Sequence, residues 1–350
     1  MIRLAEILWP RPEPMWALLR QCGITDVVAF MRGAEQERRI FASLGEGAAC
    51  RLTDADPEPW GEAALARDKA LFAEHGFRVA AIEDTPPLEQ TRLGLPGRDA
   101  EIERVITQIR TMGRLEIPVL CYNWMARASW SRTDIAVATR GGALVTGFDR
   151  ARATSLPPLC EPGEFTHEQL WQALGYFLNA VLPEAEAAGV RLAMHPCDPP
   201  LDFLRNMPRI MTCPAAFDQL IALNPSPANA MTLCQGTFGL MGQPLPQLIH
   251  QFGAEGRIAF VHMREVRGTR DCFVEAFHDD GPNDLAACFR AYHEVGFSGP
   301  LRPDHVPSME GEPTDRPGYG VMGRLFAVGY LRGLLHGSTG RSEMAEEAAA

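Results

Sequence analysis

The stretch Leu301-Arg302-Pro303-Asp304-His305 leaves an apolar run and ends on a carboxylate beside an imidazole. Three earlier strand-like segments end in the same manner: Arg191 to His195, Asn229 to Cys234 and Arg257 to His262 each carry an apolar core capped by a side chain able to bind a metal. Parallel strands of a barrel deliver their last side chains to a common mouth, where the catalytic groups of that architecture gather. Four such endings therefore point to one site. Each interval between them has room for one helix, one strand and two loops. His, Cys and Asp donate lone pairs to transition metals, so the quartet His195, Cys234, His262 and Asp304 is a candidate for holding a divalent ion.

Outward from these endings, short β-rich runs alternate with longer helical patterns along the whole chain, which favours a parallel sheet with crossover helices. Eight segments read as strands: Ile2 to Leu8, Asp26 to Phe30, Arg78 to Glu83, Ile117 to Asn123, Arg191 to His195, Ala230 to Cys234, Ile258 to His262 and Pro300 to Asp304. Eight is the number that closes a (β/α)8 TIM barrel, and 350 residues suit one such barrel. The expected fold is α/β, a single barrel domain over 1–336 with long loops at the C-terminal face and a frayed tail over 337–350. Ile102, Val105, Ile106, Ile109 and Met112 recur at helical spacing, with Glu101, Glu103, Arg104 and Arg110 expected to face water. Thr166 followed by Gln169 reads as a capping box for a helix that ends before Gly189. Trp124 to Phe165, rich in Arg, Thr, Gly and Pro, is expected to be a long loop of the kind that forms lids or binding segments.

A formal charge of -11 argues against a nucleic-acid or anionic-membrane surface, and 46% hydrophobic with 22% charged residues describes a globular chain with a sizeable core. No segment approaches the ~20 apolar residues of a membrane span. Nine cysteines without short repeated spacings, and an opening segment lacking the apolar run of an export signal, are read as reduced thiols in a cytoplasmic protein. A small molecule is the expected partner, and homo-oligomerisation is left open.

Taken singly, each proposed ligand has an ordinary explanation. A His at a strand end is more often a satisfied polar group, and a buried Cys is usually apolar filler. Strand alternation points His262 and Arg264 to the same side, where a guanidinium one step beyond a metal suits an anionic substrate. The alternative for Arg264 is a structural pair with Glu265 or Asp279. Four coincidences at successive strand ends are less probable than one shared cause, and a mixed His, Cys, Asp set differs from the closed thiolate cage of structural zinc.

The chain resembles the mannonate dehydratase family, whose members have a xylose-isomerase-like barrel. The resemblance is carried by Leu93-Gly94-Leu95-Pro96-Gly97-Arg98-Asp99, Cys121-Tyr122-Asn123-Trp124-Met125, Trp130-Ser131-Arg132-Thr133-Asp134, His195-Pro196-Cys197-Asp198-Pro199-Pro200, Leu233-Cys234-Gln235-Gly236, Val261-His262-Met263-Arg264, Arg302-Pro303-Asp304-His305 and Arg316-Pro317-Gly318-Tyr319-Gly320, in the family's order. It implies a divalent ion, typically manganese or iron, on His195, Cys234, His262 and Asp304, and loss of water from D-mannonate to give 2-keto-3-deoxy-D-gluconate. Tyr319 and His305 are the candidates for proton transfer, their roles undivided, and the positions the resemblance implicates are the Tyr and the Arg, here Tyr319 and Arg264. Arg264 is expected to take the substrate carboxylate, while Asn123, Arg132 and Asp198 are expected to contact hydroxyls of the sugar acid.

Four departures from the family pattern fall near the substrate. Phe30-Met31-Arg32-Gly33-Ala34-Glu35 replaces its early His-x-Ile-Pro-x-Gly-like stretch, Glu265 follows Arg264 where it has Asn, Val306-Pro307 replaces Gly-Arg, and Cys197 stands where it usually has Asp. They leave open another aldonate as substrate. A sugar isomerase or epimerase on the same barrel, or a barrel that only binds metal or sugar acid, is the competing expectation.

Overall fold

In the computed structural model, which describes residues 2–33, 55–313 and 315–339, eight parallel strands close into a barrel. They are β1 (Arg3–Leu8), β2 (Asp26–Ala29), β3 (Arg78–Ile82), β4 (Val119–Asn123), β7 (Arg191–His195), β10 (Asn229–Cys234), β11 (Ile258–Met263) and β14 (Pro300–Pro303), in the order β1-β14-β11-β10-β7-β4-β3-β2. All eight expected strands are present, Arg191–His195 with the expected bounds and the others with one end shifted by one or two residues. The largest shift is at β4, where Pro118 lacks the N–H that would extend the ladder. Ala34 and Glu35, and residues 340–350 of the expected tail, lie outside the described residues; the last helix, Val321–Thr339, runs past position 336.

Alternation along the strands divides the apolar residues into two sets. Ala5, Ile7, Val28, Ala81, Val119, Cys121, Ala193, Ala230 and Phe260 pack together as an inner cluster, the filled interior of a barrel rather than a pore. A larger shell, including Leu19, Phe72, Ile109, Phe177, Leu220 and Phe289, fills the space between the strands and the surrounding helices.

The helix Arg98–Arg114 buries Ile102, Val105, Ile106, Ile109 and Met112, as their spacing requires. Glu101 departs from expectation: it is buried, and its Oε2 accepts from the Thr91 amide at 2.8 Å and the Thr91 hydroxyl at 2.9 Å, tying down the preceding turn. Helix His167–Ala188 begins in the expected capping box, with Thr166 Oγ1 accepting from the Gln169 amide and Gln169 Oε1 from the Thr166 amide. It ends at Gly189, whose φ of 66° is a left-handed cap that glycine adopts without a Cβ penalty.

The expected long loop after β4 contains regular structure. Strands β5 (Asp134–Ala138) and β6 (Leu144–Asp149) form a hairpin, and β6 pairs with β13 (Cys272–Glu275), itself paired with β12 (Val266–Thr269), in an antiparallel sheet of order β12-β13-β6-β5. The sheet is built from the segments following β4 and β11, so it sits over the C-terminal ends of the barrel strands. The Phe148 and Phe273 rings stack across β6 and β13 with centroids 5.8 Å apart.

Candidate metal centre and acid–base site

Register brings the expected ligands together. Cys234 is level with His262, and His262 with Arg302, while His195 is level with Asn123. Ligand atoms of His195, Cys234 and His262 all lie within 4.8 Å of one another. His195 Nε2 is 3.2 Å from His262 Nδ1, which is 3.6 Å from Asp304 Oδ2; Cys234 Sγ is 4.0 Å from the same oxygen. Donors held at about 2.0–2.3 Å from one ion lie roughly 3–4 Å from each other, so the separations suit a shared cation. His195, Cys234 and His262 form the group, and Asp304 adjoins it through His262 and Cys234; two imidazole nitrogens, a thiol and a neighbouring carboxylate, with Pro196 O 2.7 Å from the far nitrogen of His195, are donor chemistry that fits a divalent transition metal. Burial holds the His195 imidazole below its ordinary range, favouring the neutral form that ligation requires.

Beside these donors lies a buried network of opposite charges. Arg132 donates to both oxygens of Asp198, at 3.0 and 2.9 Å, and to Glu275 Oε1 at 2.7 Å. Arg264 donates to both oxygens of Glu275, each at 2.8 Å, to Asp198 Oδ2 at 2.8 Å and to Thr237 Oγ1 at 3.2 Å. All four side chains are at most 2% exposed. Burial pushes the Glu275 and Asp198 carboxyls up, and the two guanidiniums more than reverse it, leaving both below the usual carboxylate range.

Four residues expected to contact substrate are otherwise occupied. Arg264 spends its guanidinium on Glu275 and Asp198 rather than facing outward, because β13 places Glu275 against it; Glu265 and Asp279 are not its partners. Arg132 and Asp198 are bound to each other. Asn123 Oδ1 accepts from Arg92 at 3.1 Å and from the Met125 amide at 3.1 Å, which fixes the turn leaving β4.

His305 and Tyr319 are brought side by side. His305 has φ of 39°, a left-handed conformation that costs on the order of 1–3 kcal/mol for a non-glycine residue and turns the chain immediately after Asp304. The Val306 amide bonds Gly318 O at 2.8 Å and Val306 pairs with Tyr319, so the Arg316–Gly320 segment is laid against the residue following His305. The two rings meet edge to face at 5.7 Å, and the Trp130 ring centroid lies 4.5 Å from that of His305. His305 Nδ1 is 3.1 Å from Glu275 Oε1 and its Nε2 is 3.8 Å from Asp304 Oδ1, so the imidazole spans the charge network and the proposed cation site. Burial, reinforced by Asp304, raises the Tyr319 phenol and keeps it protonated.

Glu83 and Glu275 were not among the expected site residues. Glu83 Oε2 lies 3.2 Å from His262 Nε2, and the Glu83 carboxylate pairs with Arg302 at 3.0 Å through each oxygen. Glu83 follows β3 and was legible as one more polar ending on an apolar run. Glu275 belongs to the added sheet and carried no spacing signal.

Glu265, one of the departures from the family pattern, is fully buried beside this network. Its Oε2 accepts from Asn283 Nδ2 at 3.0 Å, and a Cβ at Gly281 would fall 1.8 Å from that oxygen, so a side chain there would have to displace the carboxylate. Burial pushes its carboxyl up to about 7, against the opposing hydrogen bonds from Asn283. A carboxyl raised in the folded state favours the protonated fold. Its contribution is therefore complete below the unfolded value of 4.5 and is lost as pH rises through about 7. Glu265→Gln is expected to raise the melting temperature at pH 8, by up to roughly 3 kcal/mol of stability, and to leave it nearly unchanged at pH 5. Equal effects at both pH values, read by thermal denaturation, would contradict this.

With the geometry in place, relatives give it a context. The chain matches the family model described as D-mannonate dehydratase (UxuA) over residues 18–159 and 163–344. Mannonate dehydratase 2 of Halalkalibacterium halodurans is 32% identical over 301 residues, covering 79% of this chain and 87% of that one. The mannonate dehydratase of Shouchella clausii is 33% identical over 310 residues, covering 79% and 86%. The crystal structure of mannonate dehydratase from Streptococcus suis serotype 2 superposes with a TM-score of 0.85 at 27% identity, covering 97% of this chain and 95% of the other. A xylose isomerase domain protein from Alicyclobacillus acidocaldarius, at TM-score 0.59 and 13% identity, shares the fold.

Proposed function

The chain belongs to the D-mannonate dehydratase family, and on that footing we propose that it removes water from D-mannonate to give 2-keto-3-deoxy-D-gluconate. The enzyme is a metal-dependent hydro-lyase, and no helix among the described residues is long and apolar enough to cross a membrane. The observation that supports the assignment of roles is the grouping of His195, Cys234 and His262, with Asp304 Oδ2 3.6 Å from His262 Nδ1 and 4.0 Å from Cys234 Sγ, near the pair His305 and Tyr319.

In this proposal His195, Cys234, His262 and Asp304 hold the divalent ion, which we take to be manganese or iron. When bound there, the ion supplies positive charge to the carboxylate of the sugar acid, making the adjacent C–H acidic enough to be lost. The residues around it divide the proton work. Glu275 Oε1 and Arg132 Nη2 lie 3.1 and 3.2 Å from His305 Nδ1; in this reading Nδ1–H donates to Glu275, so Nε2 keeps a lone pair on the side of Asp304 and takes the proton from C2. Tyr319, held protonated by burial, donates its phenolic proton to the hydroxyl leaving C3 as water. The resulting enol becomes the 2-keto product. Arg264 and Arg132 act at one remove, keeping Glu275 and Asp198 ionised and fixed.

Incubating the manganese-loaded protein with D-mannonate and related aldonates tests the function; absence of 2-keto-3-deoxy acid from all of them would remove it. Tyr319→Phe separates the two proton roles. Dehydration is expected to fall by about 10²–10⁴, while C2 of D-mannonate still acquires deuterium in heavy water. Loss of exchange and elimination together would show that Tyr319 is not confined to the departing hydroxyl.

A further inference from the structure

With Arg264, Arg132, Asp198 and Asn123 engaged by partners within the protein, the end of the sugar acid remote from its carboxylate has to be received elsewhere. A small cavity beside Tyr319 can receive it. Ile7, Trp9, Phe30 and Tyr319 form its walls, with Glu13, Arg316 and Arg324 around them. Ile7 belongs to the inner cluster of the barrel, Phe30 joins it immediately after β2, and Trp9 and Tyr319 pack against it. The Phe30 amide bonds Leu8 O at 3.1 Å, carrying the β1–β2 pairing one step further toward the mouth, and the Trp9 and Phe30 rings meet at 4.5 Å. The ends of the first two strands thus present a continuous apolar wall next to the Tyr319 ring.

The charged groups around the cavity have partners of their own. Arg316 Nη1 donates to Glu13 Oε2 at 3.2 Å, while Arg324 Nη2 donates to Ile7 O at 2.5 Å and lies 3.2 Å from Glu6 Oε1. Apart from the Trp9 indole N–H, the side chains of Ile7, Trp9 and Phe30 carry no polar atom. A hydroxyl pressed against them gives up water for little in return, whereas a methyl group gives up nothing polar. The cavity measures about 30 Å³, room for one terminal carbon group and too little for a further sugar unit.

The proton roles fix which end of the substrate lies there. The proposed donors, His305 and Tyr319 correspond in turn to C1, C2 and C3 of the acid. Tyr319 lines the cavity, and neither His305 nor any of the four donors does, so the cavity continues that order toward C4 to C6. We infer that it seats the far end of the substrate, and that Ile7, Trp9 and Phe30 select a sugar acid ending in methyl, a 6-deoxyaldonate of the D-mannonate configuration, over one ending in a primary alcohol. The chemistry is that of the dehydration already described. The C2–H and C3–O bonds break, His305 takes the C2 proton, Tyr319 protonates the departing hydroxyl, and water leaves with a 2-keto-3,6-dideoxy acid. The methyl group contributes binding alone.

This inference rests on the reading of the chain as a dehydratase with Tyr319 at C3, and a comparison of two acids separates the failure of one from the failure of the other. For the manganese-loaded protein, kcat/KM is expected to be roughly 10–100-fold higher for 6-deoxy-D-mannonate than for D-mannonate. An equal or lower value for the deoxy acid, with D-mannonate still dehydrated, would overturn the selection and leave the dehydratase reading standing. No 2-keto acid from either of them, or from any other aldonate, would remove that reading and the inference with it. Phe30→His places a donor and an acceptor on the wall and is expected to bring the ratio of the two kcat/KM values toward one. An unchanged ratio in the folded variant would overturn the role of the wall. If Phe30→His does not fold, calorimetric binding of both acids to Tyr319→Phe, which keeps the wall and slows elimination, decides: tighter binding of the deoxy acid supports the inference, and equal binding overturns it.

Discussion

His262→Ala is expected to lose stoichiometric divalent metal and to lower dehydration of D-mannonate by about 10³-fold or more, since a Lewis-acid cation contributes several kcal/mol and each 1.36 kcal/mol is tenfold in rate. His262 sits between two of the other donors. Its Nδ1 faces His195 Nε2 at 3.2 Å and Asp304 Oδ2 at 3.6 Å, and its side chain is 1% exposed, so no surface group can swing in to replace it. Its removal also frees Glu83 from one of its contacts. Metal content per chain after dialysis is the primary readout, with melting temperature in the presence and absence of added manganese as the second. A ligated ion stabilises the native state by mass action, and the variant should lose that concentration dependence. Unchanged metal content in His262→Ala would mean that these donors do not share the ion.

The barrel and the nearness of His195, Cys234 and His262 were legible because each depends on a pattern that survives in one dimension. Apolar runs of strand length recur with helices between them, and four end on His, Cys or Asp; geometry does the rest by placing those ends at one mouth. What was not legible depended on contacts between distant segments. Nothing near Arg264 in the chain announces Glu275, because the two meet through a hairpin turned at Arg270 and Asp271, and Arg132 joins them from another hairpin far upstream. The sheet carrying these groups did leave a trace: Gly141-Gly142, with φ of 65° and 87°, separates two runs of alternating character, a hairpin signature outweighed by the polar and Pro-rich composition around it. Glu83 was missed for a different reason. The rule that singled out His195, Cys234, His262 and Asp304 applies equally to the end of β3, but a carboxylate on its own is common at strand ends and was not counted. Glu101 was misplaced because helical spacing assigns a face and cannot foresee that the turn at Thr91 needs a buried acceptor.

Arg264→Met offers the sharpest contrast between what the chain alone suggested for this residue and what its surroundings assign. A guanidinium meeting the substrate carboxylate would be dispensable for folding, and its loss would raise KM at constant melting temperature. The observed partners imply the opposite. Two guanidiniums and two carboxylates balance one another at 0–2% exposure, and removing one cation leaves Asp198 and Glu275 sharing Arg132 in a medium that solvates neither. Breaking a buried pair in this way costs about 3–5 kcal/mol, a fall in melting temperature of roughly 4–7 °C for a domain of this size. The pH dependence adds a signed check. Asp198 and Glu275 are held below their ordinary range, so they contribute stability that is present above the unfolded carboxylate range and is lost as pH falls through their lower folded values. Without Arg264 those folded values rise, and acid unfolding is expected to begin at higher pH. Arg264→Met/Glu275→Gln, which restores the charge balance, should recover part of the loss, giving a coupling energy between the two sites well above the few tenths of a kcal/mol seen for independent positions. A variant that melts with the wild type and differs only in KM would return Arg264 to the substrate.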